Sequence, residues 1–99
     1  MSKSIRDEIA KVKINHIVRS ESELEFPDFI RCLRNTLGIS RKMMASELGI
    51  SQMKIYYKEE GKFSRMPEIE FLVTISKYFG VPKDLLISKA KDYVDRKPG

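Results

Sequence analysis

The chain has 99 residues, 41% hydrophobic and 33% charged, with a formal net charge of +5. That balance fits one water-soluble domain with a modest single core. No apolar run approaches the roughly 20 residues needed to span a bilayer, and the N-terminus MSKSIRDEIAKVK lacks the apolar stretch of a secretory leader, so a cytoplasmic protein is expected.

Segment 3–19 carries Ile5, Ile9, Val12, His16 and Ile17 as a helical stripe. Lys11-Val12-Lys13-Ile14-Asn15 also alternates with a period of two, which leaves a strand as the alternative to the favoured helix. Residues 20–25, SESELE, read as a polar linker. Pro27 suits the first turn of a helix, where its missing N–H costs nothing, and Asp28 favours the positive end of the helix dipole. Phe26, Ile30, Leu33 and Leu37 give this helix one apolar face, and Gly38 ends it. Cys32, the only cysteine, lies opposite that face. It permits no intrachain disulfide or thiolate metal cluster and is expected to be a partly exposed, reduced thiol.

Ser40 caps the next helix, in which Met43, Met44 and Leu48 are apolar and Gly49 is the left-handed stop. Ser51 caps a third helix that runs to about Glu60 and ends at Gly61. Residues 62–66 form a basic loop. Pro67 is predicted to open a fourth helix with Ile69, Leu72, Ile75 and Phe79 inward, closed by Gly80. Pro82 opens a fifth, with Leu85, Leu86, Ala90 and Val94 inward and a frayed tail from Arg96. Neither a repeat nor a low-complexity tract interrupts the series.

Charge is unevenly spread. Residues 28–66 hold eight basic side chains (Arg31, Arg34, Arg41, Lys42, Lys54, Lys58, Lys62, Arg65) against four acids (Asp28, Glu47, Glu59, Glu60). Glu21, Glu23 and Glu25 make an acidic patch just before them. Mild basicity alone describes a solvated surface. Joined to two short helices and a tight turn over 38–61, it becomes an electrostatic footprint for phosphates.

The series Gly38-Ile39-Ser40, Ala45, Leu48-Gly49-Ile50-Ser51, Ile55, Glu59 and Gly61 resembles the Cro/phage-repressor (XRE-type) helix-turn-helix family. The likeness continues through Pro67, Ile69, Leu72, Ile75, Ser76, Phe79-Gly80-Val81 and Asp84-Leu85-Leu86. It implies an all-α fold: a five-helix repressor-type DNA-binding domain over 26–95, preceded by an N-terminal helical extension over 1–25 and followed by a tail over 96–99. Ala45 falls where the two helices of the motif cross, and a larger side chain there pushes them apart. Ile50 and Ile55 bury the inner face of the third helix and leave its outer face for DNA. The first 25 residues lie outside the resemblance. The loop between Gly61 and Pro67 is about two residues longer than the common form, Lys58 stands where an apolar residue is usual, and Met43 stands where an acid often completes a capping box.

The resemblance also assigns roles. Helix 51–60 reads the major groove with Gln52, Met53, Lys54, Tyr56 and Tyr57, a glutamine being suited to bidentate pairing with adenine. Ser40, Arg41, Ser51, Lys62, Ser64 and Arg65 bind phosphates and orient the protein without reading sequence. Arg34 and Glu59 form a structural salt bridge beneath the DNA-facing surface. No catalytic residue, metal or cofactor is implied: His16 is the only histidine, and no glycine-rich phosphate loop or zinc-ligand spacing is present. The expected function is a DNA-binding transcriptional regulator acting as a dimeric repressor on a double-stranded operator. The alternative is an antitoxin or other protein-binding module that engages a partner through residues 1–25, with or without autoregulation. Ile5, Ile9, Val12 and Ile17 serve docking on the domain, a homodimer seam or a partner equally well.

Overall fold

The computed structural model describes residues 2–20 and 23–96. The sequence expectations for Glu21, for residues 97–99 and for the Ile5 side chain lie outside the described residues. Among the described residues all regular structure is helical: α1 (Ser2–Ser20), α2 (Phe26–Thr36), α3 (Arg41–Leu48), α4 (Gln52–Glu59), α5 (Ile69–Phe79) and α6 (Lys83–Arg96). The segment with alternating pattern, 11–15, is thus helix throughout. No described helix is long and apolar enough to cross a membrane.

The core is one cluster to which every helix contributes. α2 supplies Phe26, Phe29, Ile30 and Leu33, all fully buried. Leu37, predicted to complete that face, is the half-buried cap residue, because α2 stops at Thr36. α3 adds Met44 and Ala45, α4 Ile55, α5 Phe71, Leu72, Ile75 and Phe79, and α6 Leu86 and Ala90. Leu85 and Val94 are only half-buried.

Two sequence expectations shift by part of a helical turn. Among the described side chains of α1, Ile14 and the expected Ile17 are buried, whereas Ile9 and Val12 are 53% and 70% exposed. Two apolar rows overlap in this segment, and packing against α2 selects the row three residues apart near its C-terminal end. The end of the N-terminal extension therefore belongs to the same core as the rest. In α5, Pro67 precedes the helix and Glu68 is its N-cap residue. The later start turns Ile69 outward, 58% exposed, and brings Phe71 into its place.

Turns and tethers fix how the helices meet. The Ser40 Oγ accepts from the Met43 amide at 3.0 Å and the Ser51 Oγ from the Lys54 amide at 3.0 Å, each supplying one of the acceptors a helix start lacks. Gly49 ends α3 at φ 68°, a left-handed conformation open to glycine without a Cβ clash. Gly61 is doubly constrained. Its φ is 70°, and a Cβ there would run into the Tyr93 hydroxyl and lie 3.0 Å from its Cζ. The same hydroxyl donates to the Gly61 carbonyl at 3.0 Å, tying α6 to the end of α4. One turn earlier in α6, the Lys89 Nζ donates to the Leu24 carbonyl at 2.5 Å and sits 4.8 Å from the Phe29 ring centroid. Arg96 pairs with Glu25 at 3.0 Å. These two contacts hold Leu24 and Glu25 against α6.

Candidate nucleic-acid interface

α3 and α4 form a helix-turn-helix with a short turn. Ala45 is buried where the two helices approach, and the Ile50 amide donates back to the Ala45 carbonyl at 3.1 Å. At about 100° per residue, Ile55, Lys58 and Glu59 share the inner side of α4, so Met53 and Tyr57 lie at the middle of the outer side. Met53 is 52% and Tyr57 43% exposed, and Gln52 is exposed at the helix start. Of the five predicted base readers, Met53 and Tyr57 face outward and Gln52 is open to solvent at the N-terminal end of the helix.

The other two lie on the flanks. Lys54 turns toward α5, where its Nζ meets the Glu68 carboxylate at 3.2 Å and lies 5.8 Å from the Phe71 ring centroid. Tyr56 turns toward α3. Its ring lies 5.1 Å from the Arg41 guanidinium carbon and 5.4 Å from the Lys62 Nζ, and its hydroxyl is 3.5 Å from that Nζ. Tyr56 is therefore placed among the predicted phosphate ligands and away from the middle of the reading face.

The other predicted phosphate ligands stand at the starts of α3 and α4 and in the loop after α4. Ser40 and Ser51 are exposed, and because each uses an oxygen lone pair for its cap, its O–H stays available as a donor. Lys62, Ser64 and Arg65 are exposed in the loop after α4. Arg41 differs from the sequence expectation in being already engaged. Its Nε donates to Glu59 Oε1 at 2.9 Å and its Nη2 to Glu60 Oε2 at 3.0 Å. The Glu59 hydrogen bond is the main reason its guanidinium holds its proton more firmly than usual. Partial burial opposes this, and the charges of Glu59 and Glu60 reinforce it.

Beneath the face lies a buried carboxylate. Glu59 is fully buried, with Arg34 Nε on Oε2 at 2.7 Å and Arg34 Nη2 on Oε1 at 2.9 Å. This two-point fork is the strong geometry for an arginine–carboxylate pair. Arg34 Nη1 donates further to the Ile39 carbonyl at 2.8 Å, and Arg31 Nη2 to the Glu59 carbonyl at 2.7 Å. One carboxylate thus joins α2, the start of α3 and the end of α4, fixing the angle at which α4 is presented. Arg31 and Glu60 were absent from the sequence-predicted site. Their only sequence signal is the Arg31/Arg34 spacing of one helical turn opposite an adjacent pair of glutamates.

Lys58, which replaces an apolar residue, lays its stem along the core edge, with its Nζ 5.2 Å from the Phe63 and 5.8 Å from the Phe71 ring centroid. Burial, then the neighbouring Lys54 charge, lowers its pKa, and Glu68 partly offsets both. His16 is exposed on α1, and Cys32 is half-buried on α2. Among the described residues, no three His, Cys, Asp or Glu side chains are placed to hold a metal ion.

No curated protein sequence and no solved structure matches this chain. A family model described as a helix-turn-helix domain matches residues 28–91, a span that runs from α2 into α6 and contains the whole α3–α4 unit. By that match, over well more than half of its length, the chain belongs to the helix-turn-helix domain family.

Proposed function

We propose that this protein is a sequence-specific double-stranded DNA-binding transcriptional regulator that reads the major groove with α4. The observation that carries the reading is the division of α4 into two sides. Ile55 and Glu59 anchor the inner side in the core and its ion-pair network, while Met53 and Tyr57 stand outward with no core role and Gln52 is exposed at the helix start. An α-helix fits the major groove of B-DNA, and its outward side chains can reach base edges there. Gln52 is assigned to adenine, and Met53 and Tyr57 to apolar and polar contacts along the groove. Ser40, Ser51, Tyr56, Lys62, Ser64 and Arg65 are assigned to phosphates, with Arg41 beside them.

In this reading the protein works in the cytoplasm as a homodimeric repressor of the Cro/phage-repressor type, excluding polymerase from its operator. Selection from a pool of random duplexes, followed by fluorescence anisotropy on the enriched sequence, tests it. A two-fold symmetric site with half-sites about 10 bp apart and affinity that falls steeply with salt are expected. Failure to enrich any sequence counts against sequence-specific reading.

The exposure of Ile9 and Val12 favours a second role for α1, in joining two copies or in holding a partner protein as an antitoxin does. Sedimentation of the full chain with and without Ile9→Glu/Val12→Glu separates these. A dimer lost in the variant assigns α1 to self-association, and a wild-type monomer that captures a partner only with these residues intact assigns it to that partner.

A further inference from the structure

We propose that Glu60 is a built-in competitor for a DNA phosphate at Arg41, so that the free protein keeps one of its phosphate ligands occupied until DNA displaces the carboxylate. The inference rests on the DNA-binding reading above.

The Arg41 guanidinium is shared between two carboxylates of opposite character. Glu59 takes the Nε at 2.9 Å and is fully buried, so it fixes where the guanidinium sits. Glu60 takes the outward Nη2 at 3.0 Å, and its side chain is 34% exposed. One contact is built into the core, and the other is at the surface, where solvent and ligands have access. A charge-assisted bond from an arginine N–H to a phosphate oxygen needs a separation of about 2.7–2.9 Å, close to that now filled by the Glu60 oxygen. The surroundings suit an anion as well. The Tyr56 ring lies 5.1 Å from the same guanidinium carbon, and Lys62 Nζ approaches the Tyr56 ring and hydroxyl. Arg31 Nη2 approaches Glu60 at 3.8 Å but is held by the Glu59 carbonyl. Glu60 thus stands where a phosphodiester oxygen would receive Arg41.

Exchange of Glu60 for a phosphate has two costs to binding. An exposed ion pair must open, and a carboxylate must remain near the DNA backbone. Opening such a pair corresponds to about a 1.4- to 5-fold loss of affinity, and repulsion adds to it. The Glu60→Gln variant is therefore expected to bind a mixed-sequence 20-bp duplex about three- to tenfold more tightly than wild type at low salt. Its log K against log salt slope steepens by up to about 0.9, because in the wild type the freed Glu60 carboxylate offsets up to one unit of the charge brought to the phosphates. Ranking among sequences is unchanged, because a phosphate contact reads none.

Anisotropy titrations of full-length wild type, Glu60→Gln, Arg41→Gln and Arg41→Gln/Glu60→Gln on that duplex test the proposal, with helical CD confirming that each is folded. The gain from Glu60→Gln is expected to shrink below about twofold once Arg41 is absent. An equal gain with and without Arg41 makes Glu60 a general surface charge and overturns the proposal, as does an unchanged affinity in Glu60→Gln. No binding by wild type even at about 10 mM salt overturns the DNA-binding reading itself, and this inference with it.

Discussion

Glu59→Gln removes the charge at the centre of the motif while preserving side-chain size. In the wild type, three guanidinium hydrogen bonds converge on the Glu59 carboxylate, two from Arg34 and one from Arg41, at 2.7–2.9 Å. The carboxylate has no solvent exposure and the Arg34 side chain 11%. A glutamine keeps one acceptor oxygen, but turns an NH2 toward a guanidinium that can only donate. Arg34 is then left in a poorly solvated site without its counter-charge, a loss of about 3–5 kcal/mol. For a domain of this size each kcal/mol lowers Tm by about 4–8 °C, so a fall of at least about 12 °C is expected by CD at 222 nm. Replacing both partners, Arg34→Met with Glu59→Met, leaves neither charge orphaned and is expected to cost less than the sum of the single changes. A Glu59→Gln loss below about 1 kcal/mol, or a double variant that is strictly additive, would refute the claim that this pair holds the motif together.

Three further perturbations probe separate links. Gly61→Ala forces a Cβ onto a backbone at positive φ and into Tyr93, with an expected loss of about 2–4 kcal/mol. Urea melts should show part of it recovered in Gly61→Ala/Tyr93→Phe, and no recovery would mean that the hydroxyl is not the obstacle. Lys58→Met removes a cation that burial disfavours, and a gain of up to about 1 kcal/mol at pH 7 is expected. Because the folded pKa of Lys58 lies below that of the unfolded chain, the unfolded chain binds more protons between the two values. Stability therefore rises with pH across that window, up to the ordinary lysine value of about 10.4. The rise should be smaller in Lys58→Met than in wild type, leaving the share that Lys89, lowered by its own burial, contributes. Gln52→Ala should lower discrimination at one base position by about 1–3 kcal/mol with little change in nonspecific affinity, and an unaltered preference removes Gln52 from the reading set.

The sequence was most legible where the physics is local. Ser40, Gly49 and Ser51 act within one turn of their own helices, and the starts and stop of α3 and α4 follow from them. The Arg34–Glu59 pair was accessible through the resemblance, since its partners are 25 residues apart and nothing local joins them. In α1 the stripe read from the sequence included Ile17, which is buried, but it did not show that Ile14 joins Ile17 in the core while Ile9 and Val12 stay exposed, a choice made by the α2 surface. Pro67 marked the neighbourhood of a helix start but not its residue, and that offset exchanged Ile69 for Phe71. At the site, helical period placed Met53 and Tyr57 outward, and Gln52 is exposed because it is the first residue of α4. The engagement of Lys54 by Glu68 and of Arg41 by Glu60 depends on how α3, α4 and the loop after α4 converge. A count of charges registers those four residues without showing that they are paired.

The central claim is that the outer side of α4 is the surface that meets a DNA duplex. Amide NMR shifts of the isotopically labelled full chain, recorded as a selected duplex is added, test it most directly. The largest changes are expected on Ser51–Tyr57, with a second set at Ser40–Lys42 and Lys62–Arg65. Large changes confined to α1 or α6 with α4 silent, under conditions where the duplex is bound, would contradict it.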